Sequence, residues 1–124
     1  MNIPNGHQQL MPYLILEHPR DFIRFASTVF DAVLTSEHLR DDGVTIMHAE
    51  AKIGECTVMF AQATEQWPSQ TANLFIYAND TDKSYAAALE NGGISVMEPS
   101  DQSYGRACGV KDPSGNTWWI TSIK

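Results

Sequence analysis

One pattern constrains this chain more than any other. The order strand, helix, strand, strand, strand is written twice, each time in about 55 residues. In the first half, residues 9–16 read as a strand, with Pro12 near its start marking an edge or a bend. Pro19 then introduces a helix over residues 20–32, whose Phe22, Phe25, Ala26, Val29 and Phe30 recur at helical spacing as one apolar stripe. Residues 34–39, 44–53 and 56–62 follow as strands, the last two joined at Gly54-Glu55. A polar connector over 63–70 leads into the second half. There, residues 72–77 are a strand, Asn79-Asp80-Thr81-Asp82 supplies a helix start, 83–91 is a helix, and Gly92-Gly93 stops it. Residues 94–98 form the next strand and 99–103 a loop, before a closing hairpin of 105–110 and 116–120. Neither half carries enough apolar surface for a core of its own. The pattern therefore predicts one α+β domain over residues 1–124, with βαβββ modules at 9–63 and 71–124 sharing one centre.

The closing hairpin has the strongest local signal. Asp112-Pro113-Ser114-Gly115 is turn chemistry: proline presets φ at the second position and glycine accepts a positive φ. Thr117, Trp118, Trp119 and Ile120, straight after it, suit a pleated, half-buried surface. Charge narrows the partners. A net charge of −7 disfavours nucleic acid and anionic membrane surfaces and leaves a neutral or cationic small molecule easier to accommodate. No apolar run reaches the length of a membrane span, and the first residues lack a basic segment followed by an apolar one. Cys56 and Cys108 match no metal-binding spacing and fit buried thiols in a reducing compartment, so a cytoplasmic location is expected.

Three stretches carry a family likeness: LMPYLILEHPRDFIRFASTVFDA, IMHAEAKIGECTVMF and DQSYGRACGVKDPSGNTWWIT. Together they resemble the vicinal oxygen chelate superfamily, also called the glyoxalase, bleomycin-resistance and dioxygenase fold, and within it the PhnB-like branch. The resemblance implies two βαβββ modules whose mixed sheets curl into a cleft, often completed by a homodimer. It says less about function, because the fold hosts lyases, isomerases, dioxygenases and proteins that only bind. Metal-using members place one ligand, His or Glu, on the first and last strand of each module, where a divalent ion keeps open positions for substrate oxygens. Carried across one by one, those positions fall at Met11, Phe60, Asn73 and Trp119. None is a ligand, nor are Leu10, Pro12, Met59, Ala61, Ala72, Leu74, Trp118 or Ile120 on either side. No metal and no cofactor is therefore expected.

Alternation predicts what lines the cleft instead. If Trp119 points inward, so do Thr117 and Thr121, while Trp118 and Ile120 pack beneath the helices. The matching inward sets are Met11, Tyr13 and Ile15; Val58, Phe60 and Gln62; and Asn73, Phe75 and Tyr77. Such a wall suits a flat or hydrophobic ligand held by stacking and area burial; alternatively, the same side chains fill the hole and leave no cavity. His48 and Glu50 alternate with Met47, Ala49 and Ala51, so both are expected to face the cleft, where the carboxylate would orient the imidazole as a general base. Tyr104 and Arg106 sit before the last hairpin, and the arginine either clamps an acidic group of a ligand or bridges to an acidic neighbour. Three readings follow. The first is a metal-free homodimeric binder of a small organic molecule, with Met11, Tyr13, Phe60, Asn73, Phe75, Tyr104, Arg106 and Trp119 as ligand contacts. The second is a metal-independent lyase or isomerase using His48 and Glu50. The third is a scaffold with a closed cleft that binds another protein.

Overall fold

The computed structural model describes residues 1–123; Lys124, the end of the second module's expected range, lies outside the described residues. The elements run β1 (Tyr13–Leu16), α1 (Pro19–Phe30), β2 (Val33–Leu39), β3 (Ile46–Ile53), β4 (Cys56–Gln62), β5 (Asn73–Tyr77), α2 (Thr81–Glu90), β6 (Ile94–Gln102), β7 (Gly105–Lys111) and β8 (Thr117–Ser122). They form two mixed four-stranded sheets of identical design. The first has the order β1-β4-β3-β2 and the second β5-β8-β7-β6. In each, the strand before the helix pairs in parallel with the last strand of its module, and the other pairings are antiparallel. The repeat in the sequence is thus a repeat in topology, and the class is α+β.

Several boundaries differ from expectation by a residue or more, and three of the differences have a clear local reason. The first strand begins at Tyr13: Pro12 still accepts from the Met59 N–H at 2.9 Å but has no N–H to give, and the residues before it reach β4 as an arm. The Gln8 amide donates to the Thr57 carbonyl at 2.8 Å and accepts from the Thr57 N–H at 3.2 Å, while the Thr57 hydroxyl donates to the Gly6 carbonyl. Helix α1 stops at Phe30, two residues early, because Asp31 turns into the left-handed region at φ 58° and the Ala32 N–H closes on the Ala26 carbonyl. Strand β6 runs straight through the expected loop at 99–103 as far as Gln102. It pairs only with β7, and Pro99 falls at a register shift between Met97 and Ser100, where an edge strand can do without the missing N–H.

Helix α1 packs on one face of the first sheet and α2 on one face of the second, and the two helices touch over one shared core. Phe22 from α1 meets Phe60 of the first sheet at 5.1 Å between ring centroids and Trp118 of the second at 6.3 Å. Phe30 meets the same tryptophan at 4.6 Å. Leu14, Leu16, Ala49 and Ala51 complete the core from one sheet, Cys108, Val110 and Ile120 from the other. Aromatic rings of this size remove on the order of 150–250 Å² each from water, so the α1 stripe supplies much of the force joining the modules.

The closing turn is held from inside. The buried Asp112 carboxylate accepts from the N–H groups of Ser114 (2.9 Å) and Asn116 (3.0 Å), from the Asn116 amide (3.0 Å) and from the Trp118 indole (2.8 Å). The Gly115 N–H closes on the Asp112 carbonyl at 3.0 Å, and Gly115 takes φ 95°. Removing that carboxylate strands buried donors. Asp112→Ala is expected to lower stability in urea unfolding by about 3 kcal/mol; a loss below about 1 kcal/mol would show that water replaces the carboxylate.

Candidate functional site

Adjacent tryptophans set the geometry of the second sheet. Trp118 is buried beneath the helices, so alternation turns Trp119 to the open face, as expected. The Trp119 ring lies across β7 on Gly109, where an added Cβ would come within 2.6 Å of it, and its indole N–H donates to the Asn73 side chain at 3.1 Å. Phe75 (54% exposed) and Tyr77 (67%) stand on the same face, their rings edge to face at 5.1 Å. Thr121, expected beside them, is buried instead. A groove of about 880 Å³ begins at Phe75 and Tyr77 and runs between the end of α1 and α2, past Asp31, Asp80 and Lys83.

The first sheet has its own open hollow, of about 630 Å³. Tyr13 (50% exposed), Ile15, Met47, Arg40, Gln62 and Trp67 (61% exposed) line most of it. Here the expected facing of β4 was out by one residue. β1 pairs with β4 in parallel, Tyr13 opposite Met59 and Leu14 opposite Phe60. Paired residues share a face, so the core residue Leu14 carries Phe60 into the core with it, and Val58 follows. Phe60 is wholly buried against Phe22 and does not line the hollow; Ala61 of the same strand does, as does Gln62 at the strand end. Met47 also departs from alternation. It is exposed into the hollow rather than packed with Ala49 and Ala51, beside the register shift between His38 and Leu39. Met11 precedes β1 and is part-buried in the arm, off any strand.

His48 and Glu50 come together as expected, and the arm adds a third member. Glu50 Oε2 lies 3.1 Å from His48 Nε2, and Glu50 Oε1 lies 2.7 Å from His7 Nε2. His48 Nδ1 is 3.3 Å from the Tyr13 hydroxyl, with the two rings edge to face at 5.5 Å. Hydrogen bonds from His7 and then His48 hold the Glu50 carboxyl below its ordinary range, outweighing its partial burial. The pair sits at the rim of the hollow, reached through Tyr13. Arg106 takes the second of its two expected courses. It pairs with Asp82 at 2.6 and 3.0 Å and with Asp101 at 3.3 Å, which pushes the guanidinium further above its usual range and pulls Asp82 down. Tyr104 is exposed in the turn between β6 and β7, outside the lining of either concavity.

Three residues at the site escaped sequence reasoning. His7 lay in a lead-in without periodicity, and its contact spans 43 residues. Arg40 lay in a turn, and its guanidinium is held by the Gln62 carbonyl at 2.9 Å. Trp67 did leave a signal, as a single large aromatic inside an otherwise polar connector. Of the four positions at which the resemblance places metal ligands, Met11 lies off any strand and Phe60 is buried in the core, while Asn73 and Trp119 offer an amide and an indole on the open face, beside the Phe75 ring. That donor set does not fit such an ion. Among the described residues, no three His, Cys, Asp or Glu are grouped to hold one elsewhere.

Known proteins agree with this architecture. TnmS3, an antibiotic binding protein from Streptomyces sp. CB03234, is 17% identical, covers 100% of this chain and 99% of its own, and superposes with a TM-score of 0.73. A PhnB protein from Bacillus cereus, described as a putative 3-demethylubiquinone-9 3-methyltransferase, is 15% identical over 94% of this chain and 100% of its own, with a TM-score of 0.72. The fosfomycin resistance protein FosX from Mesorhizobium loti is 15% identical, covering 92% and 90%, with a TM-score of 0.67. At such identities the likeness is one of fold. No curated protein matches the sequence. The family model of the Glyoxalase/Bleomycin resistance protein/Dioxygenase superfamily matches residues 9–120, nearly the whole chain, and with the twice-repeated sheet beneath it, this chain belongs to that superfamily.

Proposed function

We propose that the protein binds a small organic molecule, aromatic or hydrophobic and neutral or cationic, in an aromatic-lined cleft that two copies of the chain complete and that uses no metal. One observation carries this reading: large rings stand half-exposed or more on the open faces of both sheets. Tyr13 and Trp67 border a hollow of about 630 Å³ on one face, and Phe75 and Tyr77 flank Trp119 on the other. Ligand pockets are concave, mostly apolar and of roughly 300–1,000 Å³, with a few placed polar groups. The hollow has that size, and Arg40, Gln62, Tyr13, Thr64 and Gln66 supply its polar groups. TnmS3, an antibiotic binding protein of the same fold, supports the class of activity without naming a ligand. An open hollow counts against a scaffold with a filled cleft.

Rings left facing water in this number are also the sign of a missing partner surface. Each open face is half of a cleft, and the aromatic face of one copy is the natural cover for the hollow of another. A cytoplasmic homodimer is therefore part of the proposal; among the described residues no helix is long and apolar enough to cross a membrane. The contact of His48 with Glu50 favours a second reading, a metal-independent lyase or isomerase with His48 as general base. In the observed geometry the free imidazole nitrogen points at Tyr13, so Tyr13 stands between His48 and the hollow.

Two measurements test the first reading. Trp119→Ala is expected to weaken binding of a flat cationic aromatic dye such as acridine orange at least tenfold, about 1.4 kcal/mol, with the urea midpoint nearly unchanged. Phe60→Ala is expected to do the reverse, costing about 3–5 kcal/mol of stability through its place in the core. Wild-type protein that binds no such dye, or a Trp119→Ala variant that unfolds, would overturn the assignment of the rings. Light scattering at micromolar concentration is expected to give twice the chain mass; a monomer under those conditions would remove the second copy from the site.

A further inference from the structure

We infer that Glu50, acting through His48, makes the Tyr13 hydroxyl a hydrogen-bond acceptor at the rim of the hollow, so that the hollow selects ligands presenting an O–H or N–H group there. The inference rests on the hollow being a ligand site and adds the chemistry of the group it recognises. It follows from counting protons along one chain of contacts. An ionised carboxylate only accepts hydrogen bonds. Glu50 is in contact with His48 Nε2 on one oxygen and with His7 Nε2 on the other, so both of those nitrogens carry the proton. A neutral His48 is then the Nε2–H tautomer, and its Nδ1 holds a lone pair. The group facing that lone pair is the Tyr13 hydroxyl at 3.3 Å, which must donate. Its one hydrogen is thereby committed, and what the phenol oxygen offers to the hollow is acceptor capacity.

The surroundings let this polarity be inverted. On β3 the charged groups of this face are Glu50 and Lys52; β2 places His38 opposite His48 and Ser36 opposite Glu50; β4 sets the uncharged Met59 opposite Glu50; β1 contributes Tyr13 and the arm His7. Glu50 is the one carboxylate among them, and it touches both His7 and His48. When His48 gains a second proton, both ring nitrogens become donors. Nδ1–H then points at the Tyr13 oxygen, the phenolic hydrogen is released toward the hollow, and the site offers a donor in place of an acceptor. One proton is taken up from solvent and no covalent bond to carbon changes. Glu50 is thus a positioning residue for His48, and Tyr13 the group that meets the ligand.

Nitrogen-15 NMR of the full chain reads the first step without any ligand: neutral His48 is expected as the Nε2–H tautomer, and Glu50→Gln to release it into a mixture. Phenol and anisole, alike except that only phenol can donate, then probe the hollow through the Tyr13 and Trp67 signals. Phenol is expected to bind about threefold to tenfold tighter. The ratio is expected to fall to about one in Tyr13→Phe, and likewise in the wild type below the pH at which the same spectra show His48 doubly protonated. An Nδ1–H tautomer, or a phenol preference that survives Tyr13→Phe, overturns the inference alone. Binding of neither fragment overturns it together with the reading of the hollow as a site.

Discussion

Two adjacent tryptophans on β8 must point to opposite sides of the sheet, and most of this structure follows from that constraint. Trp118 takes the inner side, where α1 brings Phe22 and Phe30 to it and where the buried Asp112 carboxylate receives its N–H. An indole in a core needs such a partner. The turn that supplies it is thereby fixed, and with it the register of the closing hairpin. Trp119 is forced outward by the same step. It can lie flat against the sheet only because its neighbour on β7, Gly109, has no side chain.

The repeated module explains why the outward faces are there to be used. Each sheet is covered on one side by the shared helix layer, and two helices have nothing left with which to cover the other sides. On the first sheet the N-terminal arm covers part of the open face, tied down by Gln8 to Thr57 and by His7 to Glu50. On the second, Phe75 and Tyr77 remain uncovered. The open faces carry the rings of Tyr13, Phe75, Tyr77 and Trp119 beside the Asn73 amide. What such a surface can contribute is area, stacking and a few directed hydrogen bonds.

Much of this was legible beforehand, and the failures have identifiable causes. The helical stripe of α1, the module order and the Asp-Pro-Ser-Gly turn depend on local chemistry, and they were read correctly. Trp119 falls on the open face opposite the buried Trp118, and Glu50 alternates with the buried Ala49 and Ala51, although Thr121 and Met47 on the same strands break the alternation. Phe60 was faced wrongly. Thr57, Val58, Phe60 and Ala61 are all buried, so β4 shows no period, and its facing is decided by its partner β1. Pro99 suggested a loop, but an edge strand with a register shift accommodates it. His7 and Arg40 reach the site through contacts distant in sequence, which no local pattern encodes.

The claim on which the rest turns is that each open face is half of a cleft whose other half belongs to a second copy. Isotope-filtered NOE spectroscopy on an equimolar mixture of labelled and unlabelled chains measures this directly. Contacts are expected between the Tyr13 and Met59 side chains of one copy and the Phe75 and Trp119 rings of the other. Spectra showing both faces free of intermolecular contacts, at concentrations where the chain associates, would contradict it.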